Sequence, residues 1–345
     1  ITVVSLGHEW KNQWHLLWER FCVFWNLRFS RNHLFEIDLA NSGADITKLR
    51  EFKEADIIHL SWINQGMLSL NNIKKILRSG KPVVWTMHDL WPASSICHYA
   101  HGCYRYENGC GNCPLLPGRG SSNDLSSKVW KRKKAIYNHG NMWFVTCSQW
   151  LARQAKRSGL IRGISVTSIP NPIDTHVFEP QDKQVARQRL QLPVDKRLIL
   201  FVSQRVTDQR KGMDYFIEAI EKMVADHPEV KDDTVIAILG GKAEEVASQL
   251  PLPCYPLGYI SDERRIVSVY NSADVFVLPS LEDNLPNTIM ESMTKQNDGN
   301  TQVLETVKEI NAITAQVKQS SVQIRSGNTE VGKEMAKLVE ISQNI

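Results

Sequence analysis

The sequence predicts an α/β protein with two parallel sheets, each covered by helices, followed by a separate helical tail. Short apolar runs alternate with helical patterns from Asp56 onward, and such alternation is typical of parallel sheets with helices on both faces. A turn-rich stretch divides the runs into two sets, and a seven-residue repeat replaces them near the end. With 345 residues, 42% hydrophobic and 23% charged, the chain can form two such cores, which excludes a disordered or fibrous protein.

Seven apolar runs fit strands, and four longer stretches fit amphipathic helices. The predicted strands are residues 57–60, 83–87, 144–147, 166–169, 198–203, 235–239 and 275–278. The predicted helices are residues 68–78, 129–137, 213–225 and 262–271. The Ile-Thr-Val-Val-Ser run at the start is one more candidate strand.

Changes of composition set the expected domain limits. Proline and asparagine at 170–172, followed by a Gln-rich charged segment, disfavour regular structure, so residues 169–196 are expected to be a linker between domains 1–168 and 197–293. After a polar stretch, apolar residues recur every seven positions from Val303 to Ile345. This repeat predicts a coiled-coil tail over residues 294–345, through which the chain would self-associate.

An aromatic and basic stretch occupies residues 14–29. Two interpretations are open: its aromatic stripe packs on a sheet as core, or it lies on a membrane surface. The residues near helical spacing are Trp14, Leu17, Trp18, Phe21 and Trp25.

Composition also bears on partners and location. The net charge of +4 and pI of about 8.6 are a mild basic excess that favours anionic partners such as nucleotide diphosphates or phospholipids. No nucleic acid partner is expected. The sequence has no run of eighteen apolar residues and no signal-peptide pattern, which predicts a cytoplasmic protein, with the inner face of the membrane as the alternative location.

Four of the seven cysteines cluster at Cys97, Cys103, Cys110 and Cys113. In a reducing compartment, such a cluster indicates a metal clip rather than two disulfides. Four thiolates with one close pair suit a tetrahedral structural zinc site, in which His98 could replace one ligand. Free buried thiols are the alternative interpretation.

Polar residues follow two of the apolar runs in patterns that suit ligand binding at the carboxyl ends of parallel strands. His88 and Asp89 come after run 83–87; the histidine could bind a sugar hydroxyl while the carboxylate fixes its tautomer, although a structural histidine is as common. Arg205, Arg210 and Lys211 lie between run 198–203 and a helix, where cations suit a diphosphate. A solvated loop is the alternative there.

A third candidate site is acidic. Asp283 and Glu291 lie on either side of helix-start residues at 286–288. Asp283 is expected in a loop, where its carboxylate can accept sugar hydroxyls, and Glu291 in a helix, where it can accept both ribose hydroxyls. Surface acids without a function are the alternative.

Five motifs in this order resemble the family-four glycosyltransferases of bacterial surface-polysaccharide synthesis, which have the two-Rossmann-domain GT-B fold. They are residues 55–64 (ADIIHLSWIN), His88-Asp89-Leu90-Trp91-Pro92, residues 169–174 (IPNPID), Arg205 with Lys211-Gly212, and residues 283–291. The resemblance covers residues 18–293, most of the chain.

This resemblance implies retaining transfer of a sugar from a UDP- or GDP-sugar donor to a polysaccharide or lipid-linked acceptor, as in lipopolysaccharide synthesis, without a catalytic metal. The first domain would hold the acceptor and the second the donor. His88 would contact the transferred sugar, and Arg205 and Lys211 would hold the diphosphate. Asp283 stands where the family has the first member of an acidic pair, with Glu291 as the second.

Further implications concern the ends of the two domains. Backbone amides near Asn287 and Thr288 would complete the phosphate site, and Glu291 would bind the ribose. The family's first strand and glycine-rich loop would precede Ile1, and its last strands would follow Glu291, so both Rossmann-like domains are expected to be incomplete.

The tail resembles the signalling helix of methyl-accepting chemotaxis proteins at residues 309–313 and 338–342. Two alternatives to a transferase follow from it. One is a signalling or oligomerising coiled-coil protein of the chemoreceptor type, and the other is a chimera without a joint function.

Overall fold

A computed structural model of the protein describes residues 9–138, 140–284 and 287–293. Its helices are α1 (Glu9–Asn26), α2 (Arg50–Glu54), α3 (Leu70–Arg78), α4 (Leu125–Tyr137), α5 (Gln149–Arg157), α6 (Lys183–Arg189), α7 (Met213–Asp226), α8 (Val230–Asp233), α9 (Ala243–Ala247), α10 (Glu263–Ser272) and α11 (Asn287–Met293). Its strands are β1 (Ile58–Leu60), β2 (Val83–Met87), β3 (Met142–Thr146), β4 (Val166–Ser168), β5 (Arg197–Arg205), β6 (Thr234–Gly241), β7 (Cys254–Gly258) and β8 (Val275–Val277). The predicted coiled-coil tail and the candidate strand at 1–5 lie outside the described residues.

The described residues group into two compact units. The first contains the residues up to Ile173 together with Arg205–Asp226 and Leu278–Asn287. The second contains Asp174–Gln204, His227–Val277 and the residues from Thr288 onward. The domain limits predicted above stay a prediction.

The first sheet is parallel, with its strands in chain order β1-β2-β3-β4. Val83, Trp85 and Met87 of β2 are buried, because alternate side chains of a strand point to the same face. Trp85 packs against the rings of Trp91, Tyr137 and Phe144 at centroid distances of 5.8 to 6.3 Å. This aromatic cluster forms the centre of the core of the first unit.

The second sheet has the order β7-β6-β5-β8, and the pairs β6–β7 and β5–β8 are parallel. Strand β6 is buried over nearly its whole length, as its apolar sequence predicts. Asp274, which precedes β8, accepts hydrogen bonds from the backbone of Leu198 at 2.7 Å and from the guanidinium of Arg187 at 2.6 Å. These bonds join α6 and β5 to the start of β8.

All seven predicted strands are present, with ends that differ from the predicted ends by no more than two residues. The parallel α/β character is therefore confirmed. Strand β7 was not predicted, because Pro256 and Gly258 read as turn residues. Its place at the edge of the sheet accounts for the proline, since an edge strand leaves one row of backbone groups without partners in the sheet.

Most of the aromatic and basic stretch 14–29 lies in helix α1, as its helical spacing indicates, but the interpretation of the aromatic stripe as core is wrong. Val23 and Leu27 are buried with Glu19 and Arg20, which places the opposite face toward the core. Regular spacing shows that side chains share a face and does not show which face packs inward. Six large side chains of α1 are 46% to 64% exposed, namely Trp10, Trp14, Leu17, Trp18, Phe21 and Trp25.

Charged side chains buried in the first unit form a connected network. Asp38 binds the guanidinium of Arg20 through one oxygen and Nε2 of His98, at 2.6 Å, through the other. Nδ1 of His98 lies 2.7 Å from a carboxylate oxygen of Asp89. All four side chains are buried, so each charge depends on its partners for stabilisation.

We expect Asp38→Ala to lower the free energy of unfolding by about 3–5 kcal/mol, because it removes the nearest carboxylate of the buried Arg20 and leaves only Glu19, at 4.0 Å. Urea denaturation of the wild-type and variant proteins measures this difference. Glu54→Gln is the control: it breaks the exposed Arg50–Glu54 pair and should cost less than about 0.5 kcal/mol. Equal costs for the two changes would contradict a stabilising role of the buried network.

Candidate functional site

The cationic segment after β5 has a fixed backbone. Asp208 accepts the backbone N–H of Arg210 at 3.0 Å and the guanidinium of the same residue at 2.7 Å. Gly212 has φ +74°, and a Cβ at that position would overlap the carbonyl oxygen of Pro279. Only glycine combines this backbone conformation with this close approach, so the segment is held against the chain that follows β8.

A cavity of about 1000 Å³ lies in the first unit beside this segment. Arg205 and Arg210 contribute to its wall. The guanidinium of Arg210 lies 4.1 Å from the centroid of the Tyr99 ring, and its buried Nη1 has no hydrogen-bond partner among the described residues. A buried guanidinium nitrogen of this kind is a strong donor for an anionic ligand. The sequence places Arg210 with Arg205 and Lys211 among the cations of this segment, but it does not indicate that this guanidinium nitrogen is buried.

Lys211 and Asp283 form an ion pair in the first unit, with side chains only 19% and 15% exposed. Ser280 lies 3.4 Å from the same carboxylate. Two predicted site residues, distant in sequence, are thus brought together. An anionic ligand would have to compete with Asp283 for the ammonium group of Lys211.

His88 lies just beyond the end of β2, as the sequence predicts. Its Nε2 is 2.9 Å from the hydroxyl oxygen of Ser61, which follows β1. Its carbonyl accepts a hydrogen bond of 3.1 Å from the side chain of Asn284, and Asn284 also accepts the hydroxyl of Ser148, which follows β3. Asn284 therefore joins Asp283 and its loop to the carboxyl ends of β2 and β3. Its role could not be predicted from the sequence, because an asparagine in a loop has no distinctive pattern.

The expectation that Asp89 orients His88 is wrong. Asp89 binds His98 and accepts the backbone N–H of Trp91 at 2.9 Å. Neighbouring side chains at the end of a strand diverge, so a His-Asp dipeptide does not bring its own ring and carboxylate together.

Three carboxylates beside the arginines, those of Asp208, Glu36 and Glu282, make the cavity wall mixed in charge. Glu282 accepts the backbone N–H groups of Ala100 and His101 at 3.0 and 2.9 Å. Glu36 lies 3.3 Å from the ring of His101 and 3.0 Å from that of His33. The hydrogen bond from His101 is the main cause that lowers the pKa of Glu36 to about 2. A wall with guanidinium and carboxylate groups suits a ligand that carries both anionic groups and hydroxyls.

Two further predicted site residues, Thr288 and Glu291, lie in the second unit. Glu291, in α11, accepts the hydroxyl of Tyr270 at 2.8 Å, and burial raises its pKa. The hydroxyl oxygen of Thr288 is buried and has no hydrogen-bond partner among the described residues. Asn287 begins α11, and its side chain lies outside the described residues.

The four clustered cysteines line one small cavity in the first unit. Burial raises the pKa of Cys97 and of Cys110 to about 12. The sulfurs are free thiols, and no group of three or more His, Cys, Asp or Glu side chains is spaced to hold a metal ion in the described part of the chain. The suggestion that His98 replaces one ligand is wrong, because Asp38 and Asp89 occupy both of its ring nitrogens.

Comparison with known families defines the class of the protein. Residues 196–296 match the family described as "Glycosyl transferases group 1", and residues 3–177, half of the chain, match "Glycosyltransferase Family 4". The chain belongs to Glycosyltransferase Family 4.

Individual relatives agree with this assignment. The chain is 32% identical over 140 residues to a D-inositol 3-phosphate glycosyltransferase of Streptosporangium roseum, covering 36% of this chain and 31% of the relative. It is 28% identical over 151 residues to a putative teichuronic acid biosynthesis glycosyltransferase of Bacillus subtilis, covering 42% of this chain and 34% of the relative. The chain spans about a third of the length of the curated relatives it matches.

Solved structures with a similar chain path include a sucrose-phosphate synthase from Thermosynechococcus elongatus, with a TM-score of 0.47 and 19% identity over 70% of this chain and 54% of that one. Another is Anabaena HepE in complex with UDP and glucose, with a TM-score of 0.47 and 16% identity over 70% and 58% of the two chains.

Stability should depend on pH through Glu36. Its folded-state pKa of about 2 lies below the ordinary value of 4.5, so its stabilising effect is present above pH 4.5 and is lost as the pH falls toward 2. We therefore expect the difference in unfolding free energy between the wild type and Glu36→Gln to shrink from about pH 6 to about pH 3. Urea denaturation at several pH values measures it, and a constant difference would contradict the assignment.

Proposed function

We propose that the protein is a retaining glycosyltransferase that moves a sugar from a nucleotide-sugar donor, a UDP- or GDP-sugar, to a polysaccharide or lipid-linked acceptor in cell-surface glycan synthesis. Membership of Glycosyltransferase Family 4 sets the class of reaction. The observation that carries the proposal is the set of cations at the end of β5: Arg205 and Arg210 line the large cavity, and Lys211 follows Arg210 in the chain and pairs with Asp283.

This cluster matches the charge that develops in the reaction. When the bond between the sugar C1 and the diphosphate oxygen breaks, negative charge builds up on the leaving diphosphate. Arg205, Arg210 and Lys211 stabilise that charge, and the two guanidinium groups can each bind phosphate oxygens through two N–H groups. These side chains supply the positive charge that a divalent cation supplies in other transferases, so no catalytic metal is assigned.

The remaining residues act on the sugar and the nucleoside. His88 contacts the transferred sugar, and Ser61 orients the His88 ring. Asp283 accepts hydrogen bonds from sugar hydroxyls once the ammonium group of Lys211 leaves it to bind phosphate. In the second unit, Glu291 accepts the ribose hydroxyls. The backbone amides of Asn287 and Thr288 bind phosphate oxygens. The buried Thr288 hydroxyl, which has no hydrogen-bond partner among the described residues, supports a polar ligand at this place.

The names of two relatives support the acceptor class. One relative is named as a D-inositol 3-phosphate glycosyltransferase and another as a putative teichuronic acid biosynthesis glycosyltransferase. Both names describe hydroxyl-rich acceptors or products that carry anionic groups. The mixed wall of arginine and carboxylate groups around the cavity is consistent with an acceptor of that chemistry.

Calorimetric titration with UDP and GDP tests the donor site. We expect Arg205→Ala and Arg210→Ala each to weaken binding about tenfold or more, since a charge-assisted contact with phosphate is lost. Arg197→Ala is the matched control, because Arg197 stands at the other end of the same strand in an exposed pair with Asp233. Binding that is equally strong in all four proteins, or absent from the folded wild type, would contradict the donor site.

We also propose that the protein works at the inner surface of a membrane, with the exposed face of α1 as its contact. In the part of the chain that the structure describes, no helix has the length and apolar character needed to cross a bilayer. Tryptophan and phenylalanine side chains of the kind exposed on α1 favour the boundary between water and lipid.

The charges around that face indicate anionic lipid as the partner. Lys11, Arg28 and Arg31 are exposed among residues 10–31, and the only acid in that range, Glu19, is fully buried. Glu19 accepts backbone N–H groups at Leu39 and elsewhere in the core, so it does not offset the positive surface. An aromatic face with these cations at its edge suits the anionic inner leaflet.

Sedimentation with lipid vesicles tests this contact. We expect the protein to bind vesicles that contain phosphatidylglycerol more tightly than vesicles of phosphatidylcholine alone, and Trp14→Ser with Trp25→Ser to reduce binding about tenfold. Tyr259→Ser, which removes an aromatic ring 67% exposed in the second unit, should leave binding unchanged. Equal binding by both variants, or none by the wild type, would overturn the proposal.

A further inference from the structure

The four clustered cysteines line a single cavity. Its volume is about 20 Å³, which is room for one atom-sized guest. Most of the other side chains around it are apolar or small, so the cavity offers water few partners. The aromatic cluster around Trp85 already forms the centre of the core of the first unit. Packing of that core therefore does not explain why four thiols surround this separate small space.

The chain around the cavity contains little regular secondary structure. Between residues 88 and 124 the structure has turns and two short 3-10 helices, with neither an α-helix nor a ladder strand. A segment of this length without regular structure is uncommon inside a compact unit and usually has a function or an extra constraint. A cross-link through the four sulfurs would supply that constraint.

A buried cation stands next to the cluster. Lys133 is fully buried, and its ammonium group donates to the carbonyls of Trp91 and Ser94 at 2.6 and 3.1 Å. It has no carboxylate in an ion pair among the described residues, and burial lowers its pKa well below the usual value, an effect that Cys97 and Cys110 oppose. A lysine in this place can balance the negative charge of several thiolates.

We infer that Cys97, Cys103, Cys110 and Cys113 bind one structural Zn²⁺ ion, with Lys133 as the counter-charge. Each thiol releases its proton to solvent as its sulfur bonds to zinc, so four protons leave for one metal ion. The complex of one Zn²⁺ with four thiolates has a charge of −2, which the ammonium of Lys133 partly neutralises. The sulfurs are not yet at metal-binding spacing, so they must move inward to zinc–sulfur distances of about 2.3 Å.

Such a metal would fix one wall of the large cavity. Ala100, His101 and Tyr104 line that cavity, and they lie between or directly beside Cys97 and Cys103 in the chain. The contact of Glu282 with the backbone of Ala100 and His101 depends on the same loop. Zinc would therefore hold the wall in place without touching the substrate, which is a positioning role.

Metal analysis of the full chain, purified with zinc in the growth medium, tests the inference. We expect about one zinc per chain and, after exchange with Co²⁺, the intense sulfur-to-metal charge-transfer absorption of a thiolate site. Cys103→Ser and Cys113→Ser should each lower the zinc content by at least about half. Cys22→Ser and Cys254→Ser, which change cysteines outside the cluster, should retain it.

A second measurement covers variants that fail to fold. Removing the metal from the wild type with a chelator should lower its melting temperature, and adding Zn²⁺ should restore it, whereas Mg²⁺ should not. A folded wild type without zinc or cobalt absorption, and with seven thiols that react after denaturation, would overturn the inference in favour of plain buried thiols. Fewer than seven reactive thiols would overturn it in favour of disulfides. Neither result depends on nucleotide binding, so the proposed transferase activity is tested separately.

Discussion

The network of Arg20, Asp38, His98 and Asp89 is the constraint on which the first unit depends. It joins helix α1, the chain before α2 and the irregular segment after β2. None of these three segments is a strand of the first sheet. Because each member is buried and hydrogen-bonded to another member, the network tolerates few alternative arrangements. It fixes the direction in which the chain leaves β2, and His88 lies at that exit. The geometry of the candidate site therefore originates in buried charges that do not themselves face a ligand.

Around this network, the candidate site combines a rigid frame with polar groups that can change partners. The carboxyl ends of β1, β2 and β3 carry Ser61, His88 and Ser148, and Asn284 ties them to the loop after β8. The cationic segment is fixed by its backbone at Gly212. Strand ends supply precise positions, and the loops between them supply charge.

Much of this arrangement could be predicted from the sequence, for identifiable reasons. Runs such as 83–87 are long and apolar enough to define strands, and strand ends then locate His88 and Arg205. The partners of Asp89 could not be predicted, because His98 and Asp38 reach it through the tertiary fold. The exposure of Trp14 and Trp25 on α1 could not be predicted either, because periodicity shows which side chains share a helix face but not whether that face is buried or exposed. Asn284 and Arg210 matter through burial and contacts, which single-residue patterns do not encode.

The ion pair of Lys211 with Asp283 has a consequence for selectivity. A ligand gains from Lys211 only the difference between its own attraction for the ammonium group and that of a carboxylate already in place. In the proposed donor site, an anion with a single diffuse charge would gain less by that exchange than a doubly charged group, because the ammonium group attracts the higher charge more strongly. The resting pair would then favour anions of high charge density before shape is tested.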